Sequence, residues 1–231
     1  MAEKTEESKG SWKPNKKAIS NIFDSEPVKF IKYRFEAQLL RKFLGTVPRD
    51  KNIYSSYIAS LTEEKAKRIE EIESVDEIEE KGWTGFHKDD DGTFFYNYMV
   101  LGNIKANLKI LIDSEAVKKV TAYKKVCDTF LKVYPRRIRF EDKKHPDGSM
   151  ERALRAMTAK GERTFISRSD YIDEGALFSF DVKLIKNKNY LTSTTLLKAI
   201  KLGEEYGLGQ WRGSGGYGAY KILSCVELES W

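Results

Sequence analysis

The last sixty residues constrain the fold most strongly, because they carry the signals of a strand, a helix and another strand in succession. In residues 178–184 hydrophobic side chains alternate with polar ones, the period-two pattern of a strand with one buried face. Thr192 or Ser193 can cap a following helix, which Gly207 can end. Hydrophobic residues then mark a final strand at residues 220–228.

The first half of the chain predicts a matching set of elements. Residues 31–39 alternate hydrophobic and polar side chains, which predicts a half-buried strand. A helical stretch opens at Gly102, and residues 130–140 predict a strand in which Pro135 marks an edge or a bulge. The resulting order is βαβ…βαβ. We therefore expect an α+β fold with a ferredoxin-like (RRM-type) core that carries helical and loop insertions.

The segments between these elements give weaker signals. Residues 83–93, with three consecutive aspartates, predict a loop or a hairpin tip, and the aromatic residues 94–100 predict a strand after it. Helical tendency resumes over residues 115–127. Residues 149–175 are rich in arginine and threonine with little regular period, which indicates a long ordered excursion over the sheet.

The length of 231 residues fits one large domain or a tight pair of small ones. Two segments of the chain are unusual. Residues 1–17 are polar and charged and predict a flexible tail, so the single domain is expected over residues 18–231. Residues 62–81 contain nine acidic and four basic residues. A narrow apolar stripe and the N-cap Thr62 predict that this segment is an acidic helical insertion.

Composition sets aside the secreted and membrane classes. No apolar run approaches the roughly 20 residues that cross a bilayer, and the N-terminus lacks the apolar centre of a signal peptide. Cys127 and Cys225 lie far apart without the spacing of a zinc site or a disulfide framework. We therefore expect a cytoplasmic protein without a membrane partner, a metal or another cofactor.

The net charge of +6 is unevenly placed along the chain. Residues 132–168 contain eleven basic residues, of which seven are arginines, against five acidic ones. The planar guanidinium fork of arginine suits phosphates and base edges, so a polyanion is the expected partner. A solvated basic face is the alternative explanation of the same charges.

Residues 207–218 form a glycine-rich segment, with six glycines among twelve residues. The segment follows a predicted helix and precedes a strand, and it lacks the ending of a P-loop, so it does not match nucleotide-binding fingerprints. Arg212 can pair with phosphate, and Trp211 or Tyr217 can stack on a base. The alternative is a tight turn that uses positive φ angles, for which two glycines would be enough.

The glycine-rich segment resembles the C-terminal loop of the RAMP superfamily, the CRISPR-associated RNA-binding proteins. Its halves are Gly207-Leu208-Gly209 and Gly216-Tyr217-Gly218. The opening strand with its Leu44-Gly45 exit and the helix start at residues 102–106 also resemble effector-complex backbone subunits, although the usual Lys-Gly pair is missing. Residues 151–168 and 207–218 are also similar to segments of phage proteins. The resemblance implies an RNA-binding subunit of a CRISPR-type or phage ribonucleoprotein assembly in antiviral defence.

Processing members of that superfamily use a histidine as general acid or base, so a metal-independent endoribonuclease is the alternative activity. His87, beside Asp89–Asp91, and His145, in a basic turn, are the two weak catalytic candidates. The aspartate triplet could hold Mg²⁺, but it lacks the further ligands of an EF-hand loop. A third possibility is a structural subunit that assembles with copies of itself through its acidic and basic regions.

Binding of single-stranded, guide-like RNA is the function that the sequence favours, because exposed bases can stack on aromatic side chains. The expected partners are this RNA and other subunits of a ribonucleoprotein complex or copies of the same chain. The candidate RNA-binding residues are Gly207, Gly209, Trp211, Arg212, Gly216, Tyr217, Gly218, Arg136, Arg137, Arg152, Arg155, Arg163, Arg168 and Lys105.

Overall fold

The computed structural model describes residues 28–49, 83–158, 161–187 and 191–228. These residues form a mixed α+β fold, and the predicted tail at residues 1–17 and the predicted acidic helix at residues 62–81 lie outside them. The strands are β1 (Phe30–Leu39), β2 (Phe43–Leu44), β3 (Val47–Pro48), β4 (Thr84–Gly85), β5 (His87–Asp89), β6 (Gly92–Tyr96), β7 (Leu131–Tyr134), β8 (Arg137–Arg139), β9 (Gly148–Thr158), β10 (Gly161–Ile172), β11 (Leu177–Ile185) and β12 (Tyr220–Leu228). The α-helices are α1 (Asn97–Asp113), α2 (Tyr123–Phe130) and α3 (Ser193–Lys201).

The main sheet has four antiparallel strands in the order β12-β1-β11-β7. Helices α1 and α2 lie between β1 and β7 in the chain, and α3 lies between β11 and β12. The strands predicted at residues 31–39, 178–184 and 220–228 are confirmed as β1, β11 and β12. Thr192 caps α3, since its hydroxyl accepts a hydrogen bond from the backbone of Thr195.

The core lies between one face of this sheet and the helices. Tyr33, Phe35, Ala37 and Leu39 are buried on β1, and Phe35 stacks on Phe180 of β11 at 5.2 Å between ring centroids. Burial of one such side chain stabilises the fold by about 1.5–3 kcal/mol relative to leaving it exposed. The helices contribute side chains three and four residues apart, which are Val100, Ile104 and Leu108 on α1 and Leu196, Ala199 and Ile200 on α3.

The predicted strand at residues 94–100 ends earlier than expected, because α1 begins at Asn97. The Asn97 backbone N–H donates to the carbonyl of Arg136 at 3.0 Å, and its side-chain amide donates to the carbonyl of Val133 at 2.6 Å. These bonds turn the chain away from the ladder. Gly102, which was expected to open the helix, therefore lies inside α1.

Two further predictions are wrong at their boundaries. The helix expected over residues 115–127 forms only as α2, because the intervening Glu115 and Ala122 have left-handed φ angles of 59° and 50°. The strand expected over residues 130–140 divides at Pro135 into β7 of the main sheet and β8, which pairs with β6 in a separate three-stranded sheet. Proline has no N–H to give to the ladder.

Residues 149–175, expected to form a long ordered excursion over the sheet, contain the long antiparallel pair β9–β10. Strand β10 also pairs with β2 and β4, which places this hairpin in a five-stranded sheet. The alternation was weak because polar side chains occur on both faces of the pair. Within the four described ranges, no helix is long and apolar enough to span a membrane.

Substitution by alanine is expected to have opposite effects on stability at two glycines, Gly203 and Gly102. A Cβ atom at Gly203 would lie 2.2 Å from the buried Tyr220 ring, whereas a Cβ atom at Gly102 on α1 would meet nothing within 4 Å. We expect Gly203→Ala to lower the free energy of unfolding by about 1–3 kcal/mol. We expect Gly102→Ala to raise it by about 0.5–1 kcal/mol, because alanine has the lower entropic cost in a helix. Urea denaturation measures both, and equal effects would contradict this packing.

Candidate nucleic-acid interface

The glycine-rich loop, residues 207–218, is fixed at its start by a buried side chain of α1. The Asn103 amide nitrogen donates to the carbonyls of Tyr206 at 2.5 Å and Gly207 at 2.8 Å. The Asn103 amide oxygen accepts from the Tyr220 hydroxyl at 3.0 Å. The amide thus joins α1, the loop and the first residue of β12, and the loop has a defined position relative to the helix.

The two halves of the loop lie against each other. The Leu208 N–H donates to the carbonyl of Gly218 at 2.9 Å, and the Gly218 N–H donates to the carbonyl of Lys42 at 2.8 Å. A Cβ atom at Gly207 would lie 2.2 Å from the backbone of Gly218, so this approach requires glycine. Four further loop glycines have left-handed φ angles, which are Gly209, Gly213, Gly216 and Gly218. Backbone geometry therefore accounts for five of the six glycines, and their number alone does not indicate a ligand.

The predicted stacking rings of the loop already have a partner. The Arg152 guanidinium of β9 lies 4.8 Å from the Trp211 ring centroid and 4.7 Å from that of Tyr217, a double cation–π contact. The Nη1 atom of Arg152 is buried and has no hydrogen-bond partner among the residues described. Trp211 retains 39% of its exposure. The β9–β10 hairpin is therefore attached to the loop through this arginine.

A groove of about 530 Å³ opens between the glycine-rich loop, β3, the β5–β6 hairpin and the start of α1. We call it the aromatic groove. It has apolar and aromatic walls and one cationic side chain. Its lining residues are Thr46, Val47, Pro48, His87, Tyr96, Tyr98, Met99, Gly102, Gly209 and Arg212.

The aromatic rings of the groove form a connected set. Tyr96 and Tyr98 stack at 5.7 Å with an interplanar angle of 24°, and His87 meets Tyr96 edge-on at 4.6 Å. Tyr98 is 60% exposed, which leaves ring surface open to a ligand. A nucleobase can stack on such a surface. Tyr96, Tyr98 and Met99 are not among the residues predicted from the sequence, although the Tyr96-Asn97-Tyr98 spacing was a readable signal.

The cations near the groove differ in how far carboxylates compensate them. Arg41, Arg136 and Arg212 are exposed and have no carboxylate partner within the described part of the chain. Arg212 lines the groove, Arg136 lies 5.8 Å from the Tyr96 ring centroid, and the Arg41 guanidinium lies against Gly216. These three guanidinium groups are therefore the ones available for phosphate.

Some of the other predicted RNA-binding cations form ion pairs within the protein. Lys105 pairs with Asp128, and Arg168 pairs with Glu151 and lies over a tryptophan ring. Arg155 is exposed on β9, and the Arg163 side chain lies outside the described part of β10. The role of each of these residues in RNA binding stays a prediction.

Two of the three consecutive aspartates at the hairpin tip, Asp89 and Asp91, are bound by arginines. Asp89 accepts hydrogen bonds from Arg139 at 2.6 and 2.7 Å and from Arg137 at 2.8 Å. The hydrogen bonds from Arg139, followed by those from Arg137, lower the pKa of Asp89 to about 2. Across the described ranges, no group of three or more histidine, cysteine and acidic side chains is arranged to hold a metal ion.

The two candidate histidines lie in different surroundings. His87 is half-buried, stacks on Phe94 at 5.5 Å and lines the aromatic groove, and burial lowers its pKa. His145 is exposed in the turn before β9 and does not line the groove. Only His87 is therefore positioned to meet a ligand of the groove.

Comparison with known proteins finds similarity among solved structures. No family model and no curated protein matches the sequence. A chain in the cryo-EM structure of a Type III-B Cmr-beta complex bound to cognate target RNA is similar over 92% of this chain, with 11% identity and a TM-score of 0.47. This chain covers 65% of that chain's length.

The burial of His87 predicts a pH dependence of stability. Because its pKa is lower in the folded state, the unfolded chain binds the proton more readily. The contribution of neutral His87 to the free energy of unfolding is complete above the unfolded-state pKa of about 6.5. It is lost as the pH falls through the lower folded-state pKa. We expect the melting temperature of the wild type to fall more steeply than that of His87→Phe between about pH 7.5 and 5.5. Parallel pH profiles would contradict this assignment.

Proposed function

We propose that the protein binds single-stranded RNA through the aromatic groove, as a subunit of a CRISPR-type or phage ribonucleoprotein assembly. One observation carries the proposal: the stacked Tyr96 and Tyr98 rings share an open groove with Arg212, whose charge no described carboxylate compensates. Arg136 adds a second uncompensated cation beside Tyr96. Rings for bases and cations for phosphates are therefore next to each other.

The physical chemistry of the groove favours a single strand over a duplex. Bases in a single strand are accessible to aromatic rings, and each stacked base contributes about 1–3 kcal/mol. The tolerance of stacking for any base makes this binding largely independent of sequence. The phosphate contacts supply an affinity that falls with salt, since condensed counterions are released on binding.

We also propose that the main sheet is the core of a ferredoxin-like (RRM-type) domain of the RAMP kind. Numbered by their order among β1, β7, β11 and β12, the strands stand 4-1-3-2 in the sheet, with helices between the first two and the last two. The glycine-rich loop connects the last helical region to the last strand, and its two Gly-hydrophobic-Gly halves are in contact through Leu208 and Gly218. Both observations support this assignment.

Metal-independent cleavage of RNA is the second candidate function, and the position of His87 favours it. Its lowered pKa keeps the imidazole neutral near pH 7, as a general base requires. His145, however, is not part of the groove. Cleavage of RNA in the presence of EDTA, abolished by His87→Ala, would establish this activity and overturn a function limited to binding.

Removal of Arg212 tests the contribution of an uncompensated cation. We expect Arg212→Ala to weaken binding to a single-stranded RNA and to reduce the slope of log affinity against log salt by about 0.7, the value of one phosphate contact. The matched control is Arg137→Ala, for which we expect a smaller change in slope. Arg137 is paired with Asp89, which keeps its bonds to Arg139. Equal losses in slope, or a wild-type affinity that does not change with salt, would contradict the proposal.

Replacement of Tyr98 tests the stacking surface separately from charge. We expect Tyr98→Ala to cost about 1–3 kcal/mol of RNA-binding free energy while the salt slope stays unchanged. Tyr98→Phe is the control, because it keeps the ring and removes only the hydroxyl. Fluorescence titration with a labelled RNA measures all three proteins. An affinity of Tyr98→Ala equal to that of the wild type would show that the ring does not stack on RNA.

A further inference from the structure

Three lysines lie side by side across three adjacent strands of the main sheet. Lys32 on β1 pairs in register with Lys183 on β11, which in turn pairs with Lys132 on β7. Neighbouring strands are about 4.8 Å apart. Like charges directly opposite each other destabilise a sheet. We call this set the lysine row.

Among the described residues, a carboxylate compensates only one end of the lysine row. The Asp181 carboxylate binds Lys32 at 2.8 Å and also Arg34 at 2.9 Å. The Lys183 amino group lies 3.9 Å above the Phe30 ring centroid, and Lys132 is exposed. Neither Lys132 nor Lys183 has a carboxylate partner among the residues that the structure describes. Two positive charges therefore remain next to each other, and an external anion would relieve their repulsion.

The lysine row is connected to the aromatic groove through one exposed side chain. Tyr98 lines the aromatic groove and also a second groove of about 290 Å³ along β7. Lys132 and Tyr134 line that second groove. Tyr134 is 46% exposed. A ligand that extends past Tyr98 into the second groove thus meets another exposed tyrosine and Lys132 of the lysine row.

We infer that the RNA strand held in the aromatic groove continues along β7 and places its phosphates on the lysine row. The inference rests on the proposed function. Cations interleaved with exposed rings fit a nucleic acid, since a strand presents phosphates and bases in alternation. An acidic protein surface would use the lysines but would have no need of Tyr98 and Tyr134. The row is therefore a second RNA contact with its own place along the strand.

Binding as a function of RNA length tests this path. Oligouridylates of about 4 to 16 nucleotides, the range of site sizes of many single-strand binding domains, are titrated against the wild type and against Lys132→Ala/Lys183→Ala. We expect equal affinities for the shortest oligomers. Beyond the length that reaches the row, the wild type gains affinity and its salt slope increases by about 1.4 for two phosphate contacts, whereas the double variant shows neither gain.

A second double variant, Lys109→Ala/Lys201→Ala, removes the same formal charge at lysines that pair with Asp113 and Glu204. It is expected to follow the wild type at every length. The Lys132→Ala/Lys183→Ala protein loses a repulsion, so thermal denaturation is expected to find it at least as stable as the wild type.

The outcomes separate the inference from the proposed function. Loss of the gain with length only in Lys132→Ala/Lys183→Ala supports the path. If that variant follows the wild type at all lengths, the inference is wrong and the aromatic groove is unaffected. If polyglutamate binding depends on Lys132 and Lys183 while RNA binding does not, the row recognises an acidic protein and the inference is wrong. Failure of the wild type to bind any oligomer overturns the proposed function itself.

Discussion

The hydrogen bonds of one buried asparagine hold together the parts of the structure that form the candidate site. Asn103 of α1 donates to the entry of the glycine-rich loop and accepts from Tyr220 at the start of β12. Asn107, one turn further along α1, donates to Asn103 and to the carbonyl of Ala199 in α3. A buried donor or acceptor left without its partner costs about 1–3 kcal/mol. These bonds therefore fix the position of the loop relative to α1. The first turn of α1 contributes Tyr98 and Met99 to the aromatic groove.

Whether a carboxylate pairs with a basic residue decides whether that residue is available to bind phosphate. The number of basic residues in a segment does not. The basic segment at residues 132–168 suggested a broad phosphate-binding face. In the structure, Arg137 and Arg168 within it are neutralised by Asp89 and Glu151. Lys132 and Arg136 of the same segment, by contrast, have no described carboxylate partner, and neither has Arg212 of the glycine-rich loop. A surface ion pair contributes little to stability, but it reduces the charge that a phosphate meets.

Much of the main sheet could be predicted from the sequence, because one buried face produces alternation in β1 and β11 and a capping residue marks the start of α3. The β9–β10 hairpin could not, since polar residues on both faces leave no period. The pairing of arginines was also unreadable, as Arg137 and Asp89 are 48 residues apart. The aromatic groove combines residues from four separate regions of the chain, and only their packing brings Tyr98 and Arg212 into one groove.

The central claim is that RNA occupies the aromatic groove. Photocrosslinking tests it most directly. Single-stranded RNA substituted with 4-thiouridine is crosslinked to the protein, and mass spectrometry identifies the crosslinked peptides. The account predicts crosslinks to the peptides that contain Tyr96 and Tyr98 and to the glycine-rich loop at Gly209 and Arg212. The first set is expected to be lost in Tyr98→Ala. Crosslinks confined to the β9–β10 hairpin, with none at either wall of the groove, would contradict it.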